Sequence, residues 1–242
     1  SQKKQLITGR LSPTIRKLGY KSFSEFVNHL LEKRDESEVT LVINKLTTNY
    51  TFFMREQEHL DYFYKNIIPA LVRRHQRDKV LSIWSAGCSS GEEPYNISML
   101  LFDYLGNQAK DWDTRILATD ISAQALSKAQ KGVYDLPDTI PSDWKKKYFT
   151  ANKDGSYTVA PAVRNNVIFR PFNLMDPIAF RRKFDLIFCR NVMIYFDQPT
   201  KDALVRRFYD ATVPGGYLLI SYSENLSPNT PYRRLATATF QK

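Results

Sequence analysis

Two cysteines, Cys88 and Cys189, are all that this 242-residue chain holds. Two are too few for a disulfide framework, and a reducing cytoplasm is the compartment that fits. The three histidines, His29, His59 and His75, are scattered, and no Cys/His cluster has the spacing of zinc ligands, so no metal is expected. No apolar run approaches the roughly 18 residues of a membrane-spanning helix, so no membrane insertion is expected. The opening Ser1-Gln2-Lys3-Lys4-Gln5 has neither a signal-peptide core nor an initiator Met, and a trimmed or processed chain is the expectation. Internal repeats and low-complexity tracts are absent as well. Residues 1–21 contain no Asp or Glu, yet carry Lys3, Lys4, Arg10, Arg16, Lys17 and Lys21.

What remains is the composition of an ordinary globular protein, 43% hydrophobic and 25% charged. The length allows one large domain, or a domain with a small appendage, and a core that needs no metal or disulfide. The formal net charge of +10 draws nucleic acid, anionic membrane or an acidic protein, and charge alone does not choose among them.

The first 46 residues read as helical. Phe23, Phe26, Val27, Leu30 and Leu31 share one helix face, with Ser22 as N-cap and Glu25 completing a capping box. Val39, Val42, Ile43 and Leu46 repeat the spacing after the break at Asp35-Glu36-Ser37. Residues 47–51 read as a loop, and 56–72 as a helix that Pro69 kinks or interrupts. From residue 80 onward strands and helices alternate. Strands are expected at 80–85, 115–119, 167–169, 184–189 and 217–222, with Pro214-Gly215-Gly216 as a turn. Helices are expected at 95–105, 122–131 with Ser122 as N-cap, and 199–212. This order implies an α/β fold, a parallel sheet with helices on both faces, and a ligand beyond the carboxyl ends of the strands. One stretch breaks the alternation: Asp154-Gly155 between Tyr148-Phe149-Thr150 and Tyr157-Thr158-Val159 predicts a small antiparallel insert on the sheet, over about 145–166.

The first strand runs into the turn Ala86-Gly87-Cys88-Ser89-Ser90-Gly91-Glu92-Glu93-Pro94. A glycine turn between strand and helix marks a nucleotide site. A dinucleotide needs glycine at the middle position, where this chain has Ser89, and Glu92 and Glu93 at the helix start would repel a pyrophosphate. They suit a cationic ligand without phosphate, and S-adenosylmethionine offers an ammonium and a sulfonium. The bland reading is that both glutamates only complement the helix dipole. Asp120, at the end of the second strand, is placed to accept from ribose hydroxyls, since Ser122 already caps the next helix.

Several segments closely resemble the chemotaxis-receptor methyltransferases, the CheR type. They are Trp84–Tyr95 around the turn, Ala118-Thr119-Asp120-Ile121, Phe188-Cys189-Arg190-Asn191-Val192-Met193-Ile194-Tyr195-Phe196, Ser223-Glu224-Asn225 and, upstream, residues 47–56. The resemblance runs from about residue 10 to 224. It implies a doubly wound, Rossmann-like S-adenosylmethionine methyltransferase domain at 80–242, a helical substrate-docking domain at 1–46 and a loop with linker helix at 47–79. It also implies roles. Asn49, Thr51 and Arg55 would close over the cofactor, with Ala86 and Gly87 beneath it. Glu92 would meet the amino group, with Glu93 the lesser candidate. Asp120 would hold the ribose, Asn173 and Leu174 the adenine, and Arg190 and Asn191 would line the methyl-donor end. Arg55 and Tyr195 would be catalytic, and S-adenosyl-L-homocysteine the product.

The implied reaction is methyl transfer to the γ-carboxylate of glutamates on chemoreceptor helices, in the cytoplasm, by a monomer. A glutamate of pKa near 4.3 is already an anionic nucleophile and needs positioning, not a base. Base-amine methyltransferases carry an Asn/Asp-Pro-Pro-aromatic motif, and the matching segment Arg190–Tyr195 has no proline pair. On spacing alone Tyr195 is as readily a core aromatic. Cys88 and Cys189 read as small buried residues near each other, not nucleophiles. The family docks acidic receptor helices on a positive helical domain, and Arg10, Arg16 and Lys17 match it, although Pro13 interrupts the expected helix and a first helix is missing. The insert resembles the family's small β-subdomain but lacks a glycine-richer loop, so no tight grip on a receptor's C-terminal pentapeptide is expected. Two other readings stand beside this one: a nucleic-acid methyltransferase, and a non-catalytic S-adenosylmethionine-binding signalling module.

Overall fold

The computed structural model describes residues 2–242; Ser1 and the side chains of Gln2, Lys3 and Leu6 lie outside the described residues, so the reading of the first five residues and the place of Lys3 in the basic run have no structural account. Among the described residues no helix is long and apolar enough to cross a membrane.

Three helices come first: α1 (Gln2–Lys17), α2 (Phe23–Lys33) and α3 (Glu36–Leu46). Their shared core is small: Leu11, Ile15 and Phe26 are buried, with Leu30, Val42 and Leu46 packed on them. Ser22 caps α2 by accepting from the Glu25 N–H, and the Glu25 carboxylate reaches back to the Lys21 N–H at 2.8 Å. Asp35, expected only to break the helices, caps α3 through the N–H groups of Ser37 and Glu38. The expected α2 face is too wide, because three helices cover little surface: Leu31, at its far edge, is 69% exposed. The interruption at Pro13 does not occur. α1 runs through it, giving up only the one N–H that proline lacks, and Ser12 Oγ bonds the Thr8 carbonyl in the preceding turn.

Next come α4 (Gln57–Tyr62) and α5 (Ile68–Arg74), joined without a break by a π-turn over Phe63–Ile67. Pro69 does not end this helix. The π-turn just before it widens the ladder, with the Ile68 N–H bonding the Phe63 carbonyl, and so absorbs the clash a proline ring makes one turn back.

The remaining elements are β1 (Ile83–Ala86), α6 (Glu92–Leu105), β2 (Ile116–Asp120), α7 (Ala123–Lys131), β3 (Val133–Tyr134), α8 (Ser142–Tyr148), β4 (Phe149–Ala151), β5 (Tyr157–Val159), α9 (Pro161–Asn165), β6 (Val167–Pro171), β7 (Phe184–Cys189), α10 (Gln198–Ala211), β8 (Thr212–Ile220), β9 (Arg233–Ala236) and β10 (Thr239–Gln241). Seven strands form one sheet in the order β6-β2-β1-β7-β8-β10-β9. The first five are parallel, as expected, while β10 pairs antiparallel with both β8 and β9. The central strands are buried on both faces and alternate sides. Ile83, Leu186, Phe188 and Leu219 enter the core beneath α6; Trp84, Ile187, Leu218 and Ile220 enter the core beneath α10.

Three expectations need correction. Pro214-Gly215-Gly216 is no turn but a bulge inside β8: Phe184 pairs with Thr212 and Leu186 with Tyr217, so the bulged strand holds extra residues. Gly216 is required there, since a Cβ would sit 2.7 Å from Thr212 Cγ2 and 2.9 Å from the Asp185 carbonyl. The insert is not on the main sheet; β3, β5 and β4 make their own three-stranded antiparallel sheet. Finally, β9 and β10 extend the sheet beyond the five strands expected.

Candidate functional site

A cavity of about 730 Å³ opens at the carboxyl ends of β1, β2 and β7, where the chain order reverses and such sheets leave a crevice. The turn after β1 forms its floor. Thr119 O accepts from the N–H groups of both Gly87 and Cys88, at 2.8 and 2.9 Å. Gly87 has φ +84° and a Cβ there would lie 2.4 Å from Val192 Cγ2, so only glycine fits.

Most of the expected site residues meet at this cavity: Asn49, Thr51, Arg55, Gly87, Asp120, Asn173, Leu174, Arg190, Asn191 and Tyr195 all line it. Tyr195 is 51% exposed, so it belongs to the cavity mouth and not to the core. Two expected residues are absent from the wall. Ala86 is fully buried in the core beneath α10, because it still belongs to the strand. Glu92 is turned away. Its carboxylate accepts from Ser90 Oγ at 2.7 Å and lies 4.0 Å from Lys128 Nζ. Consecutive helix positions diverge by about 100°, so the neighbour, Glu93, is the one that faces the cavity. Burial pushes the Glu93 carboxyl up, against the pull of Arg190 and of Ser85 Oγ, which donates to it at 2.8 Å.

Asp120, expected to hold a ribose, is bonded to the backbone of two turns. One carboxylate oxygen accepts from the Ser89 N–H at 2.7 Å, and the other from the Ser122 N–H at 2.8 Å. A carboxylate has about four acceptor sites, so acceptor capacity remains for a ligand hydroxyl. Burial raises its pKa despite these bonds. Burial likewise pushes the Cys88 and Cys189 thiols well up, which keeps them protonated.

The loop over the cavity is tied down from several sides. Asn49 O accepts from Ser89 Oγ, and Asn49 Nδ2 donates to Ser122 Oγ, at 3.1 and 3.2 Å. The helical domain takes part, which was not expected: Ile7, Ile43 and Leu46 line the cavity, and Asn44 Oδ1 accepts from Ser122 Oγ at 2.9 Å. Of the expected docking residues, Arg16 and Lys17 are exposed at the end of α1. Arg10 is not free. Its guanidinium bonds Leu46 O at 2.6 Å and Thr48 Oγ1 at 2.9 Å, filling an open carbonyl at the C-terminus of α3. Arg55 donates to Tyr50 O at 2.7 Å and lies against the rings of Tyr50 and Phe52.

Beneath Arg55 sits a polar hub that sequence reasoning missed. Glu56 accepts from Arg190 Nε at 3.2 Å, from Ser221 Oγ at 2.9 Å and from Asn191 Nδ2 at 3.3 Å. Burial pushes the Glu56 carboxyl up, but His59, the Arg190 guanidinium, Ser221 and Asn191 outweigh it and hold it at about 2. Arg190 also reaches Glu93 at 3.4 Å and the Arg55 carbonyl, so each of its three nitrogens has a partner. His59 stacks on Tyr222, and burial lowers its pKa. Strain gathers here too. Of seven non-glycine residues with positive φ among those described, Ser89 and Asn191 line the cavity, and Met54 and Glu56 flank its lining residue Arg55 in the chain. Such conformations cost about 1–3 kcal/mol each and cluster at functional sites. No spacing in the sequence announces this hub, whose partners lie far apart in the chain.

The chain matches two family models end to end: "CheR methyltransferase, all-alpha domain" over residues 1–47 and "CheR methyltransferase, SAM binding domain" over residues 49–241. Among curated proteins it is 39% identical to the chemotaxis protein methyltransferase of Borreliella burgdorferi, over all of this chain and 87% of that one. It is 40% identical to chemotaxis protein methyltransferase 2 of Pseudomonas aeruginosa, over 92% and 79% of the two chains. With the Escherichia coli chemotaxis protein methyltransferase the identity is 36%, over 93% and 78%. A cavity with the carboxylates of Glu93 and Asp120 in a mostly apolar wall fits the cation that these domains bind. The chain therefore belongs to the CheR family of S-adenosylmethionine-dependent methyltransferases.

Proposed function

We propose that this enzyme transfers the methyl group of S-adenosylmethionine to glutamate γ-carboxylates on the cytoplasmic helices of chemoreceptors. The observation that carries the reading is the polarity of the cavity at the strand ends: the carboxylates of Glu93, half-buried, and Asp120, buried, are in its wall, while Arg55 and Tyr195 stand at its open side. S-adenosylmethionine, when bound, supplies a methyl group activated by a positive sulfonium. Glu93 takes the ammonium end, the role expected of Glu92. Asp120 receives the ribose hydroxyls, and Asn173 and Leu174 face the adenine. Thr51 and Asn49 close the cavity from above.

At the open side Arg55 orients the incoming carboxylate, and the Tyr195 hydroxyl donates a hydrogen bond to it. Neither has to remove a proton, because a glutamate is ionised at neutral pH. What the enzyme must supply is alignment within roughly 3–3.5 Å. The aromatic rings of Tyr50 and Phe52, with Ile194, exclude water from an acceptor whose charge is lost in the reaction. Arg16 and Lys17 on α1 meet the acidic receptor helices. The enzyme works in the cytoplasm as a monomer, and its three-stranded insert does not grip a receptor pentapeptide tightly; micromolar affinity in calorimetry would contradict that last point. The net charge of +10 keeps nucleic acid as the rival acceptor. Offered labelled donor with a receptor cytoplasmic fragment and RNA or DNA together, the enzyme labels the fragment. Label confined to nucleic acid overturns the reading, and binding of the donor without any transfer would make the chain a non-catalytic module.

A further inference from the structure

Arg207, on α10, lies behind the cavity wall and is not among its lining residues. Its guanidinium forks two consecutive carbonyls of the segment that follows β6: Nη2 donates to Leu174 O at 2.8 Å and Nη1 to Met175 O at 2.8 Å. Leu174 and Met175 themselves line the cavity, beside Asn173. The Leu174 side chain is buried in the core beneath α10, but the backbone of the segment has few other hydrogen bonds. Asn173 Oδ1 accepts from the Met175 N–H at 3.0 Å, and Asn173 O accepts from the Asp176 N–H at 2.9 Å; both bonds are internal to the turn. Arg207 is thus the hydrogen-bonding tie of this backbone to a rigid element.

The arrangement is not what stability alone would favour. The Arg207 Nε is buried with no hydrogen-bond partner, and among the described residues no carboxylate lies within ion-pair distance of the guanidinium. Leaving a buried N–H without a partner is unfavourable. A planar fork can reach two adjacent carbonyls in fixed geometry, which a lysine ammonium cannot. We infer that Arg207 is a positioning residue for the nucleoside end of the donor site: it sets the Asn173–Met175 wall against which an adenine base lies. The inference rests on the donor-site reading proposed above.

The test is calorimetric titration of S-adenosylhomocysteine, with steady-state kinetics on a receptor fragment. Arg207→Gln should raise the Kd about tenfold, the worth of one hydrogen bond from a charged group. Arg207→Lys, which can keep one carbonyl contact, should raise it about threefold. The KM for donor should rise in step, while kcat at saturating donor and the KM for the receptor fragment stay within about twofold, because Arg207 touches neither the methyl nor the acceptor end. If Arg207→Gln does not fold, Arg207→Lys carries the test alone. A wild-type Kd in a folded variant, or a loss of kcat with Kd unchanged, overturns the inference. Failure of the wild-type enzyme to bind S-adenosylhomocysteine at all would instead overturn the donor-site reading.

Discussion

Glu56→Gln removes one negative charge and leaves a side chain of the same shape. In the folded protein His59, Arg190, Ser221 and Asn191 hold the Glu56 carboxyl at about 2 against the burial that pushes it up, where its ordinary value is 4.5. By linkage a carboxyl lowered that far stabilises the fold by at most about 3 kcal/mol. The side chain is 16% exposed and solvent screens part of the interaction, so the expected loss is roughly 1–2 kcal/mol. For a chain of this length that is a fall in Tm of about 2–8 °C. The sign with pH follows from the depressed value. The contribution is fully present above about pH 4.5 and fades as pH falls toward 2. Urea titrations of wild type and variant at about pH 7, 4 and 3 should therefore show a stability gap that narrows as the pH falls, by more than half at about pH 3. A gap that stays constant with pH, or no gap at neutral pH, would refute the hub as described. Catalysis should suffer as well, since Arg190 bonds both Glu56 and the Arg55 carbonyl.

Glu93→Gln should weaken S-adenosylhomocysteine binding by about tenfold or more, as the loss of a charge-assisted hydrogen bond does. Glu92→Gln should change it less than about twofold, and the reverse order would restore the sequence-based assignment. Burial raises the Glu93 pKa, so wild-type affinity for a ligand bearing an ammonium should fall as pH is lowered through that raised range; the pH dependence should vanish in Glu93→Gln. Gly87→Ala forces a side chain into φ +84° and against Val192, at a cost of about 1–2 kcal/mol for the left-handed backbone alone. Chemical denaturation should show at least that loss, with weaker donor binding, and a neutral outcome would mean that the turn is not as tight as drawn.

The parts of this fold that local chemistry decides were legible in the sequence. Ser22 and Ser122 cap their helices as their spacing to an apolar face predicts, and the alternation after residue 80 gives the parallel sheet. β9 and β10 were not legible, because segments of four and three residues with exposed Arg233, Arg234 and Leu235 carry no period. Pro13, Pro69 and Pro214 misled for a common reason: a proline breaks one bond, and the chain can simply forgo it, as at Pro13, or bypass it with a longer turn or a bulge, as at Pro69 and Pro214. At the site, the motif residues came together because strand ends bring them there. The choice between Glu92 and Glu93 did not follow, since it depends on how α6 is rotated about its axis. The Glu56 hub joins residues more than 130 positions apart, Arg190 and Ser221 among them, and only tertiary structure reveals it. Arg10 reads as a docking charge until its carbonyl partners at Leu46 and Thr48 are seen.

The central claim is the acceptor: a glutamate γ-carboxylate on a chemoreceptor. Its most direct test is peptide mapping by tandem mass spectrometry of a receptor cytoplasmic fragment after reaction with this enzyme and S-adenosylmethionine. The account predicts one added methyl on specific glutamate side chains, released as methanol by mild alkali and absent when Arg55→Ala or Tyr195→Ala enzyme replaces the wild type. Methyl groups on lysine, arginine or cysteine, or groups that resist alkali, would contradict it.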